Sequence, residues 1–269
     1  MRDVAATLLA LESMQSGWAG GLVASLPRSV RMVPNGGTPD LVLIDGCGSW
    51  VTLAHKWLAL GARKILVIEP RRENSVDVAP LAHAVDAVGA DLRLSETFPG
   101  NAAVASMREW MDPNYTEIVV NGFDSARPTE VLMKQLRVLR SIGLSHVALL
   151  QIRIVAAAYA AEGCAMLEGR NVQVRLTGAK CGAIPPQHEV IALSELQTAR
   201  LVVYGGAEAR PAEASLTTPS GKHQSPAIFQ GAHRHALRAI LQGAVLEGGS
   251  ALRDFAEDAA ISELAETPR

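Results

Sequence analysis

The sequence predicts an α/β protein. The expected core is a Rossmann-like, doubly wound, mostly parallel sheet of about seven strands, with an antiparallel terminal hairpin and flanking N-terminal and C-terminal helices. Three observations carry this. From residue 41 onward, short apolar runs of strand length alternate with helix-periodic stretches. The apolar content is mostly Ala, Leu and Val, with only 4% aromatic residues, which suits helices packed closely on a sheet. Finally, 269 residues suffice for one well-buried core with appendages but not for two full-sized domains.

The elements follow in order. Residues 4–14 carry Val4, Leu8 and Leu11 at helical spacing and predict an N-terminal helix, so 1–39 reads as a helical segment. The turn cluster Pro34-Asn35-Gly36-Gly37-Thr38-Pro39 precedes Leu41-Val42-Leu43-Ile44, an apolar run typical of a strand buried on both faces, and the sheet is expected to begin there. Further strands are expected at 64–69, 91–94, 117–121, 146–151, 172–177, 189–194 and 200–204. Helices are expected near 50–60, 76–88, 102–111, 128–141 and 154–168. Together 40–205 form the predicted nucleotide-binding domain. Residues 205–227, rich in Gly, Ala, Ser, Thr and Pro, read as a linker, and 228–246 and 251–265 as two closing helices, so 206–269 is the C-terminal appendage.

Composition narrows the function. With 25 basic against 27 acidic side chains there is no general polyanion-binding surface, and few aromatics argue against nucleic-acid stacking platforms. Cys47, Cys164 and Cys181 give neither a disulfide framework nor a zinc spacing, and a reducing cytoplasm fits them. The seven histidines show no His-Glu-x-x-His, so no metal site is expected. No apolar run approaches the roughly 18 residues that would suggest a membrane span. Lys134, Arg137 and Arg140 share one helix face, which reads as an ordinary solvated surface.

The chemistry concentrates where strand 41–44 runs into Asp45-Gly46-Cys47-Gly48-Ser49-Trp50 and a helix follows at once. Glycines there let the backbone turn tightly and present helix N-terminal N–H groups to a ligand, and a nucleotide is the natural occupant. The next strand ends in Glu69, where a doubly wound fold places an acid for ribose hydroxyls. Asn121 and Asp124 close the fourth predicted strand, beside the same crevice. Asp124 could act as a general base if an apolar surround raised its pKa, or could merely cap the next helix. His188-Glu189 could overhang the crevice as an acid/base pair, although a solvated loop end is the more ordinary reading.

The run Leu43-Ile44-Asp45-Gly46-Cys47-Gly48-Ser49, with Glu69-Pro70 closing the second predicted strand, resembles class I S-adenosylmethionine-dependent methyltransferases. The stretch Leu60-Gly61-Ala62-Arg63 leading to Glu69-Pro70-Arg71-Arg72-Glu73-Asn74 is similar to the FkbM-type branch. The resemblance implies an S-adenosylmethionine cofactor, with the glycine loop of Asp45, Gly46, Cys47 and Gly48 at its methionine part and Glu69 at its ribose; Asn121 is a cofactor-binding candidate by its position at the end of the fourth predicted strand. The resemblance further implies a small-molecule acceptor methylated on oxygen, for which Asp124 is, by its position, the catalytic candidate. A homodimer through the C-terminal helices is the expected assembly.

A second run, Gly46-Cys47-Gly48-Ser49-Trp50-Val51-Thr52-Leu53-Ala54-His55, resembles Gfo/Idh/MocA-type dehydrogenases and implies NAD as the alternative cofactor. No Glu-Lys-Pro follows the fifth predicted strand as that family requires. The stretch Asp124-Ser125-Ala126-Arg127 is similar to ThiF-like adenylating proteins, and a catalytically degenerate partner subunit is the reading from outside the enzymes.

Overall fold

The computed structural model describes residues 7–12, 30–32, 39–205, 212–227, 232–242 and 252–266. The chain divides into two compact units. The first comprises residues 1–96, 233–246 and 250–256, and the second comprises 97–232, 247–249 and 257–269.

The first unit is built on a five-stranded parallel sheet. Its strands are β1 (Thr7–Glu12), β2 (Val30–Met32), β3 (Leu41–Asp45), β4 (Lys64–Ile68) and β5 (Asp91–Ser95), in the spatial order β2-β1-β3-β4-β5. β3 and β4 are buried almost end to end, as a parallel strand covered on both faces must be. Helices α1 (Trp50–Ala59) and α2 (Ser75–Val88) are the crossovers. Leu41 and Leu43 of β3, with Leu66 and Ile68 of β4, pack against Ala236, Leu237 and Ile240 of α5 (Ala232–Gln242).

The second unit holds an eight-stranded, mainly antiparallel sheet. After α3 (Ala102–Glu109) come β6 (Glu117–Asp124), α4 (Pro128–Ser141), β7 (Leu144–Val155), β8 (Ala158–Leu167) and β9 (Arg170–Lys180). Then follow β10 (Gln187–Leu193), β11 (Thr198–Tyr204), β12 (Glu213–Thr218) and β13 (Gly221–Gln224). The order is β13-β12-β11-β10-β6-β9-β8-β7, with β6 and β9 the parallel pair. Strands β8 and β9 alternate buried and exposed side chains, so one face packs on a core and the other does not.

Several expectations change accordingly. The single sheet of about seven strands is two sheets, because β6 pairs with β9 and β10 rather than continuing the parallel sheet. The helix expected over 4–14 contains strand β1; so short a run is ambiguous by periodicity, and here it pairs with β3 from Leu9↔Leu41 to Glu12↔Ile44. The helix expected over 154–168 is the end of β7 and all of β8. Its alanines suggested helix, yet Tyr159, Ala161, Gly163 and Ala165 recur with period two on one face. The linker expected over 205–227 contains β12 and β13. Two closing helices do form, as α5 and α6 (Leu252–Leu264).

The basic stripe on α4 is not solvated. Arg137 is 1% exposed and Arg140 5%. Arg137 Nη1 donates to Asp258 Oδ2 at 3.3 Å, Arg140 Nε to Asp258 Oδ1 at 3.1 Å, and Arg140 Nη2 to Glu257 Oε2 at 2.8 Å. Burial pushes the Asp258 carboxyl up, and the two guanidinium groups oppose that rise. Asp258 thus bridges two buried cations, and Glu257 adds a second carboxylate to Arg140. Replacing Asp258 by Ala removes the carboxylate the two share, and urea unfolding should show a loss of about 3–5 kcal/mol.

Candidate functional site

In an open α/β sheet, ligands bind beyond the carboxyl ends of the strands, at the point where the strand order reverses. In the first unit that point lies between β1 and β3, since β2 lies on one side of the pair and β4 and β5 on the other. The loops after β3, β4 and β5 are laced together there. Gly46 N–H donates to Ile68 O (2.8 Å), Arg71 N–H to Gly46 O (3.0 Å), and Glu69 N–H to Ser95 O (2.8 Å).

This lacing explains Gly46. A Cβ there would sit 2.5 Å from Glu69 O and from Pro70 Cα, so the glycine admits the neighbouring backbone rather than a ligand. Asp45 is fully buried and accepts from Cys47 N–H at 3.0 Å. Burial, with a further push from Asp45, raises the Cys47 thiol above its ordinary pKa, so it stays protonated near neutrality and is no ready nucleophile. Trp50 is also fully buried: its Nε1–H donates to Arg71 O (2.9 Å), and its ring meets Phe255 edge-on with centroids 5.5 Å apart.

Glu69 closes β4, the fourth strand, and not the second; the ribose-acid position argued from the sequence belongs to the end of β2. The residues after Met32 lie outside the described set until Pro39, and as sequence they run Val33-Pro34-Asn35-Gly36-Gly37, without a carboxylate. Glu69 has a left-handed φ of 50°, and its Oε1 stands 3.2 Å from His233 Nε2. His233 Nδ1 lies 2.8 Å from Ser95 Oγ, so one imidazole ties the first turn of α5 to the ends of β4 and β5. Ser95 is 2% exposed, which closes it to a substrate. The sequence carries no local signal for this trio, since His233 lies 164 residues from Glu69 and 138 from Ser95.

Asn121 and Asp124 belong to the second unit and not to the unit that holds Asp45, Gly46, Cys47, Gly48 and Glu69. Asn121 Oδ1 accepts from Thr177 Oγ1 at 2.7 Å. Asp124 is 3% exposed, pairs with Lys134 Nζ at 2.5 Å and accepts from Ala126 N–H at 3.0 Å. Burial pushes its carboxyl up, but the Lys134 ammonium and these hydrogen bonds more than offset that and hold it below the ordinary range. The raised pKa that general-base work requires is therefore not what this environment produces.

His188 is neither a loop end nor an overhanging acid/base residue. It is fully buried on β10, while Glu189 pairs with Arg200 Nε at 2.7 Å. Directly opposite one another across the sheet stand Tyr159, Gly178, Gly122 and His188. The two glycines leave room between the larger side chains: a Cβ on Gly178 would strike the Tyr159 ring at 2.2 Å, and one on Gly122 would meet Gln135 Nε2 at 2.5 Å and His188 Nδ1 at 2.8 Å. Gln135 fills the gap from α4, accepting from Tyr159 Oη and donating through Nε2 to Thr177 O at 2.8 Å. Among the described residues no three His, Cys, Asp or Glu side chains could hold a metal ion, and no helix is long and apolar enough to cross a membrane.

No family model matches the chain, and no curated protein matches it in sequence. Solved structures do match in fold. A dehydrogenase (MviM) from Clostridium difficile is 8% identical, with a TM-score of 0.71 over 96% of this chain and 98% of that one. UDP-N-acetylglucosamine 3-dehydrogenase GnnA from Acidithiobacillus ferrooxidans is 10% identical, with a TM-score of 0.71 over 96% and 97%. An oxidoreductase from Agrobacterium radiobacter, in complex with NAD+, L-tartaric acid and magnesium, is 13% identical, with a TM-score of 0.63 over 88% and 81%. At such identities the likeness is one of fold. It overturns the methyltransferase and S-adenosylmethionine reading, because the matched structures are described as dehydrogenases and oxidoreductases.

Two consequences can be measured. Gly46→Ala should cost about 1–3 kcal/mol in chemical denaturation, since a methyl group overpacks the Glu69–Pro70 backbone. Burial, and then the Lys134 charge, push the His188 pKa down from 6.5 to about 3. The neutral ring's contribution to stability is therefore complete above pH 6.5 and is lost as the pH falls toward 3, at roughly 1 kcal/mol per pH unit. Unfolding midpoints between pH 8 and about 5 should fall less steeply in His188→Phe than in the parent.

Proposed function

We infer that the chain is an NAD(P)-dependent oxidoreductase of the Gfo/Idh/MocA type. The observation that carries this reading is the pairing, in one chain, of a 2-1-3-4-5 parallel sheet with an eight-stranded mainly antiparallel sheet, an arrangement shared almost end to end with solved dehydrogenases. The strand order suits a dinucleotide, because the switch between β1 and β3 leaves a crevice for it. The segment following β1 reads Gln15-Ser16-Gly17-Trp18-Ala19-Gly20, which keeps the second and third glycines of the dinucleotide pattern and replaces the first with Gln15. In that pattern such glycines meet the pyrophosphate; residues 15–20 lie outside the described set. Bound there, the nicotinamide would accept or return a hydride.

Asp45, Cys47 and Gly48 remain cofactor-side residues in this proposal, and the substrate is a small molecule. No acid follows β2 to repel a 2′-phosphate, so NADP should bind at least as well as NAD. A homodimer would have to use outward faces of the C-terminal helices, because Ala236, Leu237, Ile240, Phe255 and Ala259 are buried within the chain.

A specific observation favours a second reading, a cofactor-binding protein without turnover. The family resemblance calls for Glu-Lys-Pro after the fifth predicted strand, 146–151, and the chain there runs Gln151-Ile152-Arg153. Asp124 and His188 add no group poised to titrate near neutrality.

Thermal unfolding decides the main reading. NAD or NADP at a hundredfold its dissociation constant should stabilise the protein by about 2.7 kcal/mol, while S-adenosylhomocysteine should not. Stabilisation by S-adenosylhomocysteine alone, or by none of the three, overturns it. Dinucleotide binding with no reduction across a panel of alcohols and carbonyl compounds selects the second reading.

A further inference from the structure

The end of β7 leaves an opening in the second unit. That strand closes one edge of the eight-stranded sheet, and its Ile152 and Ile154 stand opposite the buried Ala161 and Tyr159, on the side of the sheet that faces the core. Helix α4 begins and α6 ends beside them. Between these helix ends and the strand lies a cleft of about 550 Å³.

Most of its lining is apolar. Ile152 and Ala265 pack on the margin of the core, whereas Ile154 and Leu264 are 37% and 64% exposed. A single apolar side chain on a convex surface means little. Several of them gathered in a concavity of this size, with a few polar groups among them, have the make-up of a small-molecule site.

The polar groups select the ligand. Arg127, Thr129, Arg153 and Glu266 also line the cleft, which sets two guanidinium groups against one carboxylate. Glu266 is engaged, because the buried Thr129 donates its hydroxyl to Oε1 at 2.9 Å. Arg127 is anchored from outside the lining, its Nε and Nη2 donating to Glu130 Oε1 at 3.3 and 3.0 Å. Arg153 pairs with no carboxylate among the described residues. A guanidinium offers a carboxylate two parallel N–H donors, and an ammonium ligand would instead add a third positive charge to the wall.

We propose that this cleft binds a small amphipathic carboxylate, with its apolar body against Ile152, Ile154 and Leu264 and its charged end on Arg153. The cleft lies wholly within the second unit and does not rest on the cofactor reading, so the dinucleotide titration and this proposal can fail separately.

Titration of the full-length protein with octanoate tests it, followed by calorimetry and by backbone amide spectra, with octanol and octylammonium as controls of equal chain length. Octanoate should bind saturably and shift the amides of Thr129, Ile152, Ile154 and Leu264, and both controls should bind about tenfold more weakly or worse, as the loss of one charge-assisted contact requires. Arg153→Gln should weaken octanoate by about the same factor and leave octanol unchanged. Ile154→Asp and Leu264→Asp, each at a position open enough for the fold to tolerate a charge, should abolish octanoate binding. Failure of octanoate to bind, saturable shifts confined to other residues, either control binding as tightly, or binding equal to the parent's in Arg153→Gln or in both aspartate variants would each overturn the proposal.

Discussion

Helix α4 is covered on nearly every face, and this burial governs the second unit. A helix with Val131, Leu132, Leu136 and Leu139 in the core leaves little free surface for its polar residues, and most of them meet a partner brought from elsewhere. Arg137 and Arg140 draw in Asp258 and Glu257 from α6. Lys134 holds Asp124 at the end of β6, and Gln135 spans from Tyr159 to the backbone at Thr177. The glycine pair at 122 and 178 belongs to the same constraint, because Gln135, Tyr159 and His188 need the room that two missing side chains leave.

The first unit obeys a different rule. Its carboxyl edge is held by backbone-to-backbone bonds between successive loops, so the residues that look like a ligand cradle in sequence are occupied by their own chain. Gly46 admits the Glu69 carbonyl, and the Trp50 indole is satisfied by Arg71. The features that suit a dinucleotide are instead the strand order and the glycines that follow β1.

Legibility followed the same division. Strands β3 and β4 were readable because a parallel strand buried on both faces is a plain apolar run, and helices α1, α2 and α4 because their periodicity is strong. Strand β1 was not, since a run as short as Thr7–Glu12 fits either period, and without it the count of every later strand shifts. With β1 unseen, the glycine loop at 45–48 reads as the first turn of the sheet and Glu69 as the acid of the second strand. In the second unit, β8 was hidden by its alanines, and the burial of Arg137 and Arg140 depended on carboxylates far along the chain. The Glu69–His233–Ser95 trio and the unpartnered His188 have no local signal at all; only the paired strands bring them together.

The reach of Arg137 to Asp258 bears on how the protein is made. Those two residues are 121 positions apart, so α4 leaves the ribosome long before its counter-ion exists. Until α6 is made, the guanidinium groups lack that carboxylate. A chaperone that shields this stretch, or a pause in translation downstream of it, would act on that interval.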